Sequence, residues 1–211
     1  MTERPRLIRS EADLSEGMAH LVAVCPVWAR VAPRIGPLPL RRRSDGFEAI
    51  ASAIVSQQIS VAAAEAIWAR MGAAGLRTEA AIAAADDDSL RAAGLSRPKA
   101  RYLRAVAAAG LDWNGLRDLP DDQVVAALTA LPGIGLWTAE IYLKFALGRA
   151  DAFAAGDLAL QEAARIMYGL ELRPGPAALR RMAEPWRPWR AVAARGLWAY
   201  YHLAKGREGV T

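Results

Sequence analysis

The chain has 211 residues, 54% of them apolar, which is enough to bury a core without metal or disulfide staples and too apolar for a disordered tail. Lys and Arg number 27 against 22 Asp and Glu, a net charge of +5 that suits a polyanionic partner without requiring one. The single cysteine, Cys25, excludes an internal disulfide and any cysteine-based zinc or iron–sulfur site; His20 and His202 show no ligand spacing, and neither a signal-peptide core nor an apolar run of the ~20 residues a membrane span needs is present, so a soluble, cytoplasmic protein is expected.

Alanine is abundant and alternating β-branched runs are missing, so the chain reads as helical almost throughout, with about ten to twelve helices of roughly 8–17 residues. In chain order, Pro26 marks a first helical turn, and Gly36 to Arg43, rich in Pro and Arg, is the best internal boundary. Asp45 with Glu48 resembles a capping box ahead of a helix from Phe47 to Val55. Ile59, Ala63, Ile67 and Met71 form a stripe at helical spacing. Pro98 opens another helix, and Asp122 to Ala130 a further one. That helix meets Leu131-Pro132-Gly133-Ile134-Gly135, after which a helix starts at Leu136 with a stripe of Leu136, Ala139, Leu143, Ala146 and Leu147. Asp157 precedes a helix from Leu158 to Met167, and Pro188 stands at the start of a last one.

The most informative stretch is this hairpin. Pro132 stops the first helix. The two glycines permit positive φ and leave backbone N–H groups uncovered at the start of the second helix, where the dipole also favours an anion. A lone Gly-x-Gly reads as an ordinary turn. The full string between two apolar-striped helices reads as a clamp for a phosphate backbone, which holds DNA without reading sequence. Asp157 lies twenty residues after Trp137. Locally it is an N-cap; the spacing gives it a second meaning.

Hairpin, spacing and Gly156-Asp157 together resemble the helix-hairpin-helix DNA glycosylase superfamily whose motif ends in a Gly/Pro-rich loop and an aspartate. The chain is most similar to its 3-methyladenine DNA glycosylase II family. The resemblance runs from about Phe47 to Tyr201 through Ile54-Val55-Ser56-Gln57-Gln58-Ile59-Ser60, Gly94-Leu95-Ser96-Arg97-Pro98-Lys99-Ala100, Trp137-Thr138-Ala139, and Trp186-Arg187-Pro188-Trp189-Arg190 to Trp198. About forty helical residues precede it, as in the shorter form without an extra β-rich domain.

The resemblance implies an all-α fold of two helical subdomains flanking a DNA-binding cleft. One is 46–149 with the hairpin; the other joins 1–45 to 150–211 and carries Asp157 at the junction. It implies base excision repair of alkylated bases such as 3-methyladenine and 7-methylguanine, flipped out of double-stranded DNA by a monomer at the nucleoid. Asp157 is then the catalytic carboxylate. Trp137, Ile141 and Trp198 line the base site, Ile141 standing where a relative has an aromatic residue, and Gln58 fills the gap left by the flipped base. DNA contacts fall to Gln57, Lys99, Gly133, Ile134, Gly135 and Thr138. An alkali ion would be held by the carbonyls of Thr129, Leu131 and Ile134, and no other cofactor is required. Strand-cleaving branches place a lysine where this chain has Trp137, which points to water as the nucleophile. The alternatives are a non-catalytic helix-hairpin-helix module, which gives Asp157 no reason for its spacing, and a glycosylase for oxidised or deaminated bases.

Overall fold

The computed structural model describes residues 5–206. Among them are twelve α-helices, two short 3₁₀ turns and one isolated β-bridge. No helix among the described residues is long and apolar enough to cross a membrane. The chain divides into two compact units, 1–42 with 143–211, and 43–142. The division falls in the Pro/Arg-rich run on one side. On the other it falls inside the helix after the hairpin, ahead of the 149/150 boundary expected from sequence.

The discontinuous unit begins with α1 (Glu11–Val24). A reciprocal cap opens it: the Asp13 N–H donates to Ser10 Oγ, and the Asp13 carboxylate accepts the Ser10 N–H at 2.8 Å. α2 (Pro26–Ile35) follows, its proline in the first turn where no N–H is missed. Before α1 the chain is stitched to a later segment by Ile8 N–H to Gly148 O at 2.7 Å and Ala150 N–H to Arg6 O at 2.9 Å.

The unit is completed by α10 (Leu158–Tyr168), α11 (Pro176–Met182), a 3₁₀ turn at Glu184–Trp186 and α12 (Arg190–Ala204). From Arg190 to Leu197 every residue of α12 is buried, because α1, α2 and α10 all pack on it. Small residues make that approach possible. A β-carbon on Gly196 would stand 2.6 Å from the Trp28 ring, and one on Gly17 2.6 Å from Val192. Trp28 is fully buried and meets Trp186 edge-on at 5.7 Å; Trp186 in turn meets Phe153 at 5.9 Å. Pro188, expected to open α12, instead precedes the N-cap Trp189 and follows a cis bond.

The continuous unit comprises α3 (Phe47–Ser56), α4 (Val61–Ala73), α5 (Glu79–Ala84), α6 (Asp87–Ala92), α7 (Arg97–Ala108), a 3₁₀ turn at Gly115–Arg117, α8 (Asp121–Thr129) and the start of α9 (Leu136–Phe145). α7 is its hub, packing on α3, α5 and α6. Three of its helices start on side-chain caps: Ser60, Thr78 and Asp86 each accept an N–H from three residues on.

Three local expectations fail in whole or in part. Asp45 does not cap α3, whose N-cap is Gly46; its carboxylate instead takes two bonds from Arg117, at 2.6 and 2.9 Å. Ile59 lies outside α4 and Ala63 is exposed, so the buried face of α4 runs through Ala64 and Met71. Of the stripe expected from Leu136, only Leu136 itself is half exposed, while Ala139, Leu143, Ala146 and Leu147 are buried. In each case a one-residue shift of phase, or a partner distant in sequence, decides what periodicity alone left open.

Candidate functional site

The hairpin forms where the sequence puts it. α8 ends at Thr129, with Ala130 as its C-cap. Ile134 N–H closes the turn on Leu131 O at 3.2 Å, and Ile134 is buried beneath it. The first helical bond of α9 is Ala139 N–H to Gly135 O at 3.1 Å, so the N–H groups of the turn before it lie outside the ladder and at the positive end of the dipole. The two glycines serve different purposes. Gly133 has φ +82°, and a β-carbon there would overlap the Tyr102 ring. Gly135 lies outside the left-handed region, and a β-carbon there would meet nothing within 4 Å. The protein needs a glycine at 133; at 135 any demand for one comes from outside the chain.

Trp137, one residue inside α9, is 44% exposed. Ile141 is half-buried on the same side of the helix. Thr138, expected to reach DNA, is buried at 4% exposure. Gln57 and Lys99 are also turned to the protein. Gln57 Nε2 donates to Gly133 O at 2.9 Å. Lys99 Nζ donates to Val55 O at 2.6 Å, and partial burial holds its ammonium below the usual lysine range. Gln58 is exposed, with φ +58°. The structure thus brings Gln57, Gln58, Lys99 and the hairpin into one cluster on the continuous unit.

In the other unit, Asp157 is the N-cap of α10. Its Oδ1 accepts the N–H groups of Ala159 at 2.9 Å and Leu160 at 3.3 Å. The loop before it is held at both ends. Arg190 grips both oxygens of Asp151 at 2.8 Å and bonds Glu184 at 3.1 Å. Phe153 is buried against Trp186, and Gln161 Nε2 donates back to Ala155 O at 2.9 Å. A half-exposed carboxylate on a helix N-terminus, at the end of a loop fixed by ion pair and aromatic packing, is rigidly aimed.

Trp198, on α12, has the Arg41 guanidinium 5.4 Å above its ring and His202 edge-on at 4.3 Å. Arg195, three residues earlier, lies over Phe145 and donates to Ala191 O and, more distantly, to Leu40 O. Burial first, and the nearby Arg41 charge second, push it down to about 10. Sequence reading missed Tyr102, Arg41 and Arg195. The first is chosen by the packing of α7 under the hairpin and the others by the return of the chain's end, and neither leaves a local pattern.

Comparison with known proteins identifies the family. A family model described as HhH-GPD superfamily base excision DNA repair protein matches residues 51–188. An alkylbase DNA glycosidase-like protein of Schizosaccharomyces pombe is 26% identical over 200 residues, covering 89% of this chain and 94% of its own. Among solved structures, a 3-methyladenine DNA glycosylase of the same yeast in complex with abasic DNA superposes with TM-score 0.76 at 28% identity, over 90% of this chain and 97% of that one. A DNA-3-methyladenine glycosidase of Bacillus halodurans gives 0.79 at 30% identity, over 97% and 96%. The chain belongs to the HhH-GPD superfamily of base excision DNA repair proteins.

Proposed function

We propose that this protein is a monofunctional DNA glycosylase that hydrolyses the N-glycosidic bond of alkylated bases flipped out of double-stranded DNA. The observation that carries the reading is Asp157, locked as the cap of α10 twenty residues beyond a hairpin-exit tryptophan. Breaking the bond between base and sugar builds positive charge at C1′, as in glycoside hydrolysis. An ionised carboxylate beside that carbon stabilises the charge and orients the water that attacks it. An alkylated purine such as 3-methyladenine or 7-methylguanine already carries positive charge, so it departs without strong general-acid help. Trp137 offers an exposed indole face on which such a base stacks favourably, and it is a residue with no amine to attack C1′.

The hairpin supplies the grip on the backbone. Its neutral carbonyls also fit an alkali ion. Among the described residues neither Thr129 O nor Ile134 O accepts a backbone hydrogen bond, while Leu131 O accepts one; together with the negative end of the α8 dipole they form a hard-oxygen donor set. An ion there would draw a DNA phosphate toward the turn.

Duplexes carrying one lesion each test the activity. After incubation the strand should be intact and break only on alkali treatment, and borohydride should trap no protein–DNA adduct. Corrected for spontaneous loss, 3-methyladenine and 7-methylguanine should leave faster than hypoxanthine. Absence of release from every duplex refutes the reading, and a trapped adduct replaces water with an amine.

The hairpin gives a second test. Gly135→Val should leave the melting temperature unchanged, because its side chain enters open space. It should nonetheless weaken damaged and undamaged duplex alike, since phosphates carry no sequence. Gly133→Val should instead destabilise the fold by roughly 2 kcal/mol or more, through left-handed strain and overlap with Tyr102. A Gly135→Val protein that binds undamaged duplex as tightly as the parent removes the clamp.

A further inference from the structure

A non-glycine residue at positive φ costs about 1–2 kcal/mol and persists only where its neighbours hold it there. Gln58 is such a residue, at φ +58°, exposed, and directly after the C-cap of α3. Two bonds pin the backbone that leads into it. Lys99 Nζ holds Val55 O at 2.6 Å, and the side chain of its immediate neighbour Gln57 donates to Gly133 O at 2.9 Å. The hairpin end of the second bond is itself fixed, since Gly133 lies against Tyr102. Lys99 and Tyr102 stand three residues apart on α7 and therefore share a face. One face of α7 thus supports both the end of α3 and the hairpin, and the Gln57 amide closes the triangle between them.

We propose that Gln57 is a positioning residue that couples the hairpin to the Gln58 turn, so that the hairpin's hold on the DNA backbone fixes how far Gln58 reaches into the duplex. The sequence expectation gave Gln57 a DNA contact of its own; here its amide N–H is already directed at a hairpin carbonyl. The coupling rests on the reading of Gln58 as the residue that fills the gap left by a flipped base, where its amide can bond the orphaned partner. Without the Gln57 bond the hairpin still grips phosphates and Gln58 is still present, but the turn between them is free to relax out of its left-handed state.

The test uses the full chain and a lesion duplex with 2-aminopurine beside the lesion, whose fluorescence reports base flipping, together with single-turnover excision and affinity for undamaged duplex. Gln57→Met keeps the length and loses the donor. It should bind undamaged duplex within about twofold of the parent, with an unchanged melting temperature, and lose about tenfold in flipping and excision. Gln58→Ala should lose a similar amount. The double variant should be no worse than Gln58→Ala by more than about twofold, because Gln57 acts through Gln58. Multiplying losses would mean that Gln57 touches DNA independently, and an equal loss on undamaged duplex would mean that it serves only the clamp; either overturns the proposal. Gln58→Ala behaving as the parent overturns the gap-filling reading beneath it. Flipping without base release in the parent protein overturns the glycosylase reading alone, because the fluorescence comparison of variants still stands.

Discussion

Replacing Asp157 by asparagine should reduce base release by at least a thousandfold while leaving affinity for lesion DNA within about tenfold, or 1.4 kcal/mol. The structure makes this substitution unusually clean. Oδ1 of Asp157 caps α10 through Ala159 and Leu160, and asparagine is as good an N-cap as aspartate. The helix, the loop held by Arg190 and Phe153, and the melting temperature should all survive. On the proposed mechanism, what disappears is the negative charge that stabilises the developing cation at C1′. Asp157→Ala removes both charge and cap and should cost about 1 kcal/mol of stability besides. Single-turnover excision alongside thermal unfolding separates the two. Near-parental excision by the asparagine variant would remove Asp157 from the chemistry.

Trp28→Ala should destabilise the discontinuous unit by about 3–5 kcal/mol, the range for emptying a large aromatic site in a core. Trp28 is fully buried, packs edge-on to Trp186, and presses against the backbone of α12 at Gly196, where no side chain stands between them. On the α12 side no side chain can extend into the emptied space, because Gly196 has none. Trp186 links the site to Phe153, four residues before Asp157, so excision should fall with stability as the loop loosens. Trp28→Phe should recover most of the loss. Among the described residues the indole Nε1 has no hydrogen-bond partner, so removing it forfeits no bond. Chemical denaturation of the three proteins checks the order; an alanine variant within 1 kcal/mol of the parent would show that the site refills.

Much of the site was legible because its signals are local. Pro132 and the glycines punctuate α8 and α9 within a residue of the observed ends, and Asp157 caps α10 as its place after Gly156 suggests. What could not be read is what depends on a distant partner. Asp45 had a plausible local role as a cap, yet Arg117, seventy-two residues away, takes it. Leu136 fits a helical stripe in sequence but stands one position too near the hairpin to be covered. Lys99 and Gln57 are expected at DNA from the family resemblance; their bonds to Val55 and Gly133 turn them inward. Periodicity gives the face of a helix, and only packing gives the neighbour.

The two units differ in when they can be completed. Residues 43–142 are continuous, whereas α1 and α2 need α10 and α12, synthesised last, to cover Leu14, Leu21 and Trp28. At a translation rate of about 5–20 residues per second, those apolar faces wait on the order of ten to thirty seconds at the ribosome. During that interval the hairpin unit can already be folded while the helix that Asp157 caps lacks α12, its main packing partner. A nascent or prematurely terminated chain would then be able to hold a duplex without opening a glycosidic bond, and it would carry an uncovered N-terminal helix pair for chaperones and proteases to find.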